Sequence, residues 1–178
     1  MEKIPIVNEQ DEIIAYKERY ETTREDIQRI VGLCVFNEKG EVLLAKRGPT
    51  KKIDPDKWGP SVAGTVAEGF EYDDTVVKEA EEEIGLKDIT PVFSKKYFYE
   101  TKNARRFASV YYVVVDSTTN FILEKDAVAE VKWINLVELE EQVNKKPEDF
   151  TPGFLNGSLQ NMKEISAIIK NNLHATQS

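Results

Sequence analysis

An α+β domain, layered α/β/α, is the fold class that the sequence predicts, and three observations carry the prediction. The chain has 178 residues, the size of one ordinary domain. Hydrophobic residues make up 40% and charged residues 31%, enough apolar matter for a packed core and too much for wholesale disorder. The apolar pattern also changes period along the chain, from strand-like runs to helical spacing and back. Strands interleaved with a few helices pack as layers around one core.

The elements follow in order. Residues 12–16 form a first apolar patch, read as a short strand, before a polar connector over 20–26. Residues 30–36 (IVGLCVF) are rich in apolar and β-branched types and read as a buried strand. Asn37-Glu38-Lys39-Gly40 is a hairpin turn signal, and residues 41–47 return as its partner. A charged loop with prolines spans 48–60 and carries Trp58, and the small residues 61–66 read as a further strand. Asp73 or Asp74 can cap a helix that runs to about Ile84 and closes at Gly85. Two strands over 92–100 and 107–116 flank a loop at 101–106, and 130–134 forms another strand with Trp133. Helices are expected over 136–143 and about 154–172, the last with Leu159, Met162, Ile165, Ile168 and Ile169 on one apolar face.

Composition excludes several functions. Twenty-four Lys and Arg against 32 Asp and Glu give a net charge of −8, which argues against non-specific nucleic-acid binding. A small phosphorylated substrate needs only a local basic patch and stays open. Cys34 is the one cysteine, so an intramolecular disulfide and a thiolate zinc cluster are excluded. The one histidine, His174, excludes a multi-histidine metal site and disfavours a Ser-His-Asp triad. No apolar run approaches the roughly 20 residues of a membrane span, and the first residues lack a basic-then-apolar export signal. A cytoplasmic protein with no membrane partner is the expectation.

The informative segment is the acidic helix, KEAEEEIGL over 78–86. Glu79, Glu82 and Glu83 are spaced three and four apart and lie on one side of a helix, while Val76, Val77, Ala80 and Ile84 supply the other. Like charges at these spacings repel by a few tenths of a kcal/mol per pair (~0.2–0.5), and anions are disfavoured in a helix's last turns. The run is either a solvated acidic face or a site for a hard divalent cation, which clustered carboxylates suit.

The upstream loop favours the second. The segment GTVAEG over 64–69 leads into this helix, and together they resemble the Nudix hydrolase signature, G-x5-E-x7-R-E-U-x-E-E-x-G-U, where U is a bulky aliphatic residue. Without gaps, Gly64, Glu79, Glu82, Glu83, Gly85 and Leu86 match it across 23 residues. Three positions depart: Phe70 replaces the first glutamate, Lys78 the arginine, and Ala80 an aliphatic residue. In the family that glutamate and arginine brace the loop against the helix, so the departures bear on loop geometry, and Glu71 or Glu68 can partly replace the missing acid. The resemblance implies the Nudix fold, a mixed central sheet flanked by helices. It implies an N-terminal extension over 1–28 packed on a Nudix domain over 29–178 with a C-terminal helix.

The resemblance covers about 130 residues. An N-terminal extension, VFNEKGEVLLAKR over 35–47, DKWGPSVAG before the box, EVKWINLVEL over 130–139, and an FTP segment (150–152) resemble the isopentenyl diphosphate isomerase-like branch. That isomerase relies on a catalytic cysteine before the acidic helix and on histidine ligands. Ala63 stands at the cysteine position and His174 lies in the tail, so the acid and base that an alkene isomerase needs are missing and hydrolysis is favoured. The implied reaction is Mg²⁺- or Mn²⁺-dependent attack of water on a diphosphate linkage, in a nucleoside diphosphate derivative or related organic diphosphate. Glu79 and Glu83 are the expected metal ligands, with Glu82 as ligand or general base and the Gly64 carbonyl as a backbone ligand. Glu130 and Asp126 are the other candidate bases.

Lys46 and Arg47 are candidates for substrate phosphate, or ordinary strand-end cations. Lys51, Lys52, Lys95, Lys96, Arg105 and Arg106 can add local positive potential. Trp58, Tyr99 and Phe107 can stack on a base or pack in the core, and Cys34 reads as core. A homodimer is expected. The competing class is a Nudix module that binds without turnover, favoured by Phe70 and Lys78 and opposed by the intact glutamates.

Overall fold

The computed structural model describes residues 2–175, with side chains described through residue 171. The His174 side chain lies outside that range. Nine strands among the described residues form one mixed sheet: β1 (Lys3–Val7), β2 (Ile13–Glu18), β3 (Ile27–Asn37), β4 (Val42–Arg47), β5 (Trp58–Gly59), β6 (Val62–Thr65), β7 (Val92–Glu100), β8 (Arg105–Val115) and β9 (Val128–Ile134). The helices are α1 (Tyr72–Ile84), α2 (Leu136–Lys145) and α3 (Leu159–Ala175), the last entered through a π-helical turn at Phe154–Ser158. The fold is α+β, a mixed sheet between helices. No described helix is long and apolar enough to cross a membrane.

Strand β3 is the axis because it is buried on both faces. Val31, Leu33 and Val35 pack with Val76, Ala80 and Ile84 of α1, whereas Cys34 and Phe36 pack with Leu139 of α2 and Met162 and Ile165 of α3. That explains its continuous apolar run, as expected for a central strand. β8 runs parallel to β3 from Ile27↔Arg105 to Asn37↔Val115. Burial pushes the Cys34 thiol up to about 12, consistent with a packing role.

The site is positioned by a split in this sheet. After the Asn37–Gly40 turn, β3 and β4 pair only at Phe36↔Val42 and then diverge. β6 pairs with β3 inside the wedge, β5 pairs with β4, and β9 covers β4 on its other side. Fully buried Ser61 bridges the split, accepting from the Val35 N–H at 2.8 Å and donating to the Leu43 carbonyl at 2.7 Å. One hydroxyl thus replaces ladder bonds that the diverging strands cannot make.

Two elements differ from expectation. β1 goes unread in the sequence because Pro5 interrupts KIPIV. Its pairing with β3 begins only at Ile6↔Gln28, beyond the residue that lacks an N–H. Helix α1 starts at Tyr72 with Glu71 as the N-cap residue, so Asp73 and Asp74 sit in its first turn and Asp73 accepts the Tyr111 hydroxyl. Gly85 closes the helix as expected, in the left-handed region (φ 69°), with the Leu86 N–H reaching the Ala80 carbonyl at 3.0 Å.

Candidate active site

The wedge between β3 and β4 opens into a cavity of about 230 Å³. Helix α1 enters beside it with its buried stripe on the sheet, which places the flanking Glu79 and Glu83 toward β6 and turns Glu81 and Glu82 to solvent. Glu83 lines the cavity together with Ala63, Gly64 and Thr65 and accepts the Ala63 N–H at 3.3 Å. Glu79 lies against Gly64 so closely that a Cβ on that glycine would stand 2.4 Å from the Glu79 Cδ. Only glycine admits this carboxylate.

Both acids are electrostatically stressed. Burial, reinforced by the charge of Glu79, pushes the Glu83 carboxyl up to about 7. Burial also raises the Glu79 carboxyl, against the attraction of Lys78. Glu82 differs: it is exposed and paired with Lys78 at 2.7 Å. Among the described residues no three acidic, histidine or cysteine side chains converge as a metal cluster; Glu79 and Glu83 meet around Gly64, while Glu82 points to solvent. Two carboxylates are still the protein share that Mg²⁺ takes, since that ion keeps waters and substrate oxygens as further ligands.

The other predicted residues divide. Arg47 lines the cavity, where its Nε donates to the Ile53 carbonyl at 3.0 Å. Lys46 and Glu130 are register partners, and the strand pleat turns both away from the side that carries Arg47. Neither lines the cavity, and neither does the exposed Asp126. Trp58 stacks under Lys132 at 4.2 Å instead of facing the cavity, and Phe107 packs against Phe98 with centroids 5.3 Å apart. Tyr99 does line it, with Tyr97 two residues earlier on the same face of β7. Lys95, Lys96 and Arg105 pair with Glu164, Asp11 and Glu100, and Lys52 sits over the Tyr20 ring.

Sequence reasoning missed Arg19, Asp54, Tyr97 and Thr151, all cavity-lining. The alternation of Tyr97 and Tyr99 in a strand was a readable signal; Arg19, beyond the end of β2, had none.

The departures in the signature have a structural account. Lys78 stands 6.0 Å from the Phe70 ring centroid, so a cation and an aromatic face occupy the two altered positions. The turn before α1 is held from outside. The Glu68 N–H donates to the Lys3 carbonyl at 2.9 Å, and the Val66 N–H to the Arg29 carbonyl at 3.0 Å. Arg29 reaches Glu71 at 3.4 Å and buried Asp11 at 2.8 Å, and Asp11 also accepts the Tyr72 hydroxyl at 3.1 Å and Lys96 at 2.6 Å.

A cavity in a split mixed sheet, with the stressed Glu83 lining one end, Glu79 packed behind it against Gly64, and arginines around it, fits a protein of the class that hydrolyses phosphorus-containing acid anhydrides. The comparisons agree. Residues 26–154 match the NUDIX domain model, and the chain belongs to that family. It is 28% identical over 155 residues to the uncharacterized Nudix hydrolase YfcD of Escherichia coli K12, spanning 86% of this chain and 83% of that one. The uncharacterized Nudix hydrolase lmo0368 of Listeria monocytogenes is 26% identical over 144 residues, covering 80% and 83%. Among solved structures, DR0079 of Deinococcus radiodurans superposes with a TM-score of 0.75 at 22% identity, covering 90% of this chain and 98% of that one. The NUDIX domain of Shewanella oneidensis NrtR, complexed with ADP ribose, gives 0.61 at 14% identity, covering 77% and 86%. These comparisons do not extend to the isomerase-like branch.

Proposed function

We propose that the protein is a Mg²⁺-dependent pyrophosphohydrolase that cleaves a diphosphate linkage in a nucleoside diphosphate derivative or related organic diphosphate. The observation that carries this is the pair Glu79 and Glu83, half-buried around Gly64 at the cavity and raised in pKa by burial. Carboxylates whose burial outweighs the attraction of Lys78 and the Ala63 N–H are unfavourable for folding and favourable for a cation. Glu79, Glu83 and the Gly64 carbonyl would hold Mg²⁺ or Mn²⁺, which supplies charge neutralisation and an acidified water. Arg47 orients the substrate's phosphate oxygens, and Ala63 fixes the Glu83 carboxylate through its N–H. Glu82 and Glu130 do not line the cavity, whereas Asp54 and Glu83 do, so with Glu83 given to the metal, Asp54 is our candidate to take the water's proton. The ADP ribose held by the NrtR domain is a diphosphate of the proposed class.

The test is Mg²⁺-dependent phosphate release from a diphosphate panel. Glu83→Gln is expected to lose at least ~100-fold, the scale of losing a group that acts on transition-state charge, while Glu82→Gln stays within about threefold, as a surface pair allows. Equal activity in wild type and Glu83→Gln would overturn the assignment. Binding of the panel without turnover would favour the non-catalytic module.

A further inference from the structure

Three arginines from distant parts of the chain line this same cavity: Arg19 after β2, Arg47 ending β4, and Arg106 in β8. Arg106 shares a strand face with Ala108 and Val110, which also line it, and that face belongs to the α3 side of the sheet. Glu83 reaches the cavity from the α1 side. The cavity therefore has an acidic end and a basic wall. Arg106 approaches the Tyr99 hydroxyl at 3.5 Å, and its buried Nε has no hydrogen-bond partner among the described residues. Leaving a buried donor of a cation unsatisfied is costly, and an anionic oxygen is its natural acceptor.

The surroundings support the same ligand. Arg47 uses its Nε on the Ile53 carbonyl and makes no carboxylate pair among the described residues, and Arg19 spends one nitrogen on Glu2 at 2.9 Å. Burial first, and then the charges of Arg106 and Arg19 working against Glu83 and Asp54, hold the Arg47 guanidinium below its ordinary value. Three converging cations repel one another, so the arrangement does not serve folding. All three are arginine, whose planar fork matches phosphate oxygens. At about 230 Å³ the cavity is smaller than the ~300–1,000 Å³ of sites that enclose a drug-sized ligand. It accommodates a phosphate chain and leaves most of the attached moiety outside.

We propose that Arg106, with Arg19 and Arg47, forms a second anion subsite that binds the terminal phosphate of the substrate. The enzyme then selects linear polyphosphate esters over diphosphates capped by a neutral group. This rests on the reading of the cavity as a diphosphate site.

Two measurements test it. In metal-free buffer, inorganic tripolyphosphate and pyrophosphate are titrated by calorimetry into wild type, Arg106→Gln, Arg106→Lys, Arg19→Gln and Glu83→Gln. With Mg²⁺, kcat/KM is compared for ATP, which ends in phosphate, and ADP ribose, which ends in a neutral sugar. Wild type is expected to favour tripolyphosphate and ATP by roughly 10- to 100-fold, the value of one charge-assisted contact. Arg106→Gln should erase both preferences, Arg106→Lys keep part, Arg19→Gln weaken them, and Glu83→Gln keep the binding preference. Equal binding of the two anions by wild type, or a full preference in Arg106→Gln, overturns the subsite. If Glu83→Gln abolishes hydrolysis while Arg106→Gln leaves the preference intact, the subsite fails and the diphosphate reading stands. A binding preference that depends on Arg106, with no hydrolysis of any probe, supports the subsite and overturns the hydrolase reading.

Discussion

Adding one methyl group at Gly64 should separate folding from metal binding. A Cβ there would lie 2.4 Å from both the Cγ and the Cδ of Glu79 and 2.6 Å from its Oε1. Ordinary contact begins at 3.4 Å, so Gly64→Ala forces Glu79 to move by about 1 Å. The atoms struck are the end of a flexible side chain, so the backbone need not yield. The folding cost is expected at about 1 kcal/mol, the low end for overpacking, or a Tm loss of ~2–4 °C for a chain of this size. The metal site loses much more, because one of its two carboxylates is displaced; the affinity for Mn²⁺ should fall by roughly 10- to 100-fold, as for misplaced ligands. Calorimetric Mn²⁺ titration beside a thermal melt reads both quantities. Gly32→Ala is the control for affinity, since its added carbon meets nothing within 4 Å. Wild-type Mn²⁺ affinity in Gly64→Ala, or an equal loss in Gly32→Ala, would refute the assignment of Glu79.

Two further outcomes are expected. In metal-free protein the Glu83 carboxyl is raised from 4.5 to about 7 in the folded state, so the native state binds the extra proton between those values and stability falls as pH rises through them. The loss is at most ~3 kcal/mol, and Glu83→Gln should remove it, giving a flatter curve of Tm against pH; parallel curves would sink this account. Asp11 is the opposite case. Burial raises its carboxyl, but hydrogen bonds from Lys96 and Arg29 overcome this and hold it below the usual carboxylate range. Its contribution is present above the unfolded value of 3.8 and is lost as pH falls through the lowered one. Asp11→Asn leaves Arg29 and Lys96 without their counter-charge and should cost roughly 3–5 kcal/mol in urea unfolding at pH 7; a change under about 1 kcal/mol would refute the brace.

Local pattern was legible where burial is set by near neighbours. The run over 30–36, the Asn37–Gly40 turn, the stripe Val76, Ala80 and Ile84 with its Gly85 stop, and the α3 face of Leu159, Met162, Ile165 and Ile169 read directly from period and turn chemistry, whereas Ile168 and Val77, assigned to those faces by the same spacing, are exposed. So did the candidate carboxylates, because spacing of three and four places groups on one side of a helix whatever surrounds it. Spacing alone does not say how that side is turned. Glu82 sits three residues from Glu79 yet pairs with Lys78 in solvent, because the buried stripe rotates it away from β6.

Strand-end residues were legible only as pairs of alternatives. Lys46 and Arg47 are neighbours in sequence and stand on opposite faces of β4, and the face that meets the cavity depends on which strands flank it. Arg106 was legible only as one of several cations that could add positive potential, and Arg19 carried no signal, since their neighbours in the cavity come from strands and loops far along the chain. The sequence by itself determined the family, the acidic helix and the place of Gly64 in the signature, because the motif that carries them spans only 23 residues; that Gly64 makes room for Glu79 came from the structure. The tertiary structure alone decided which carboxylate faces the cavity, which arginines surround it, and that Asp11 and Lys3 hold the turn before α1. Those choices arise where β3 and β4 part, and long-range pairing and burial settle them rather than local propensity.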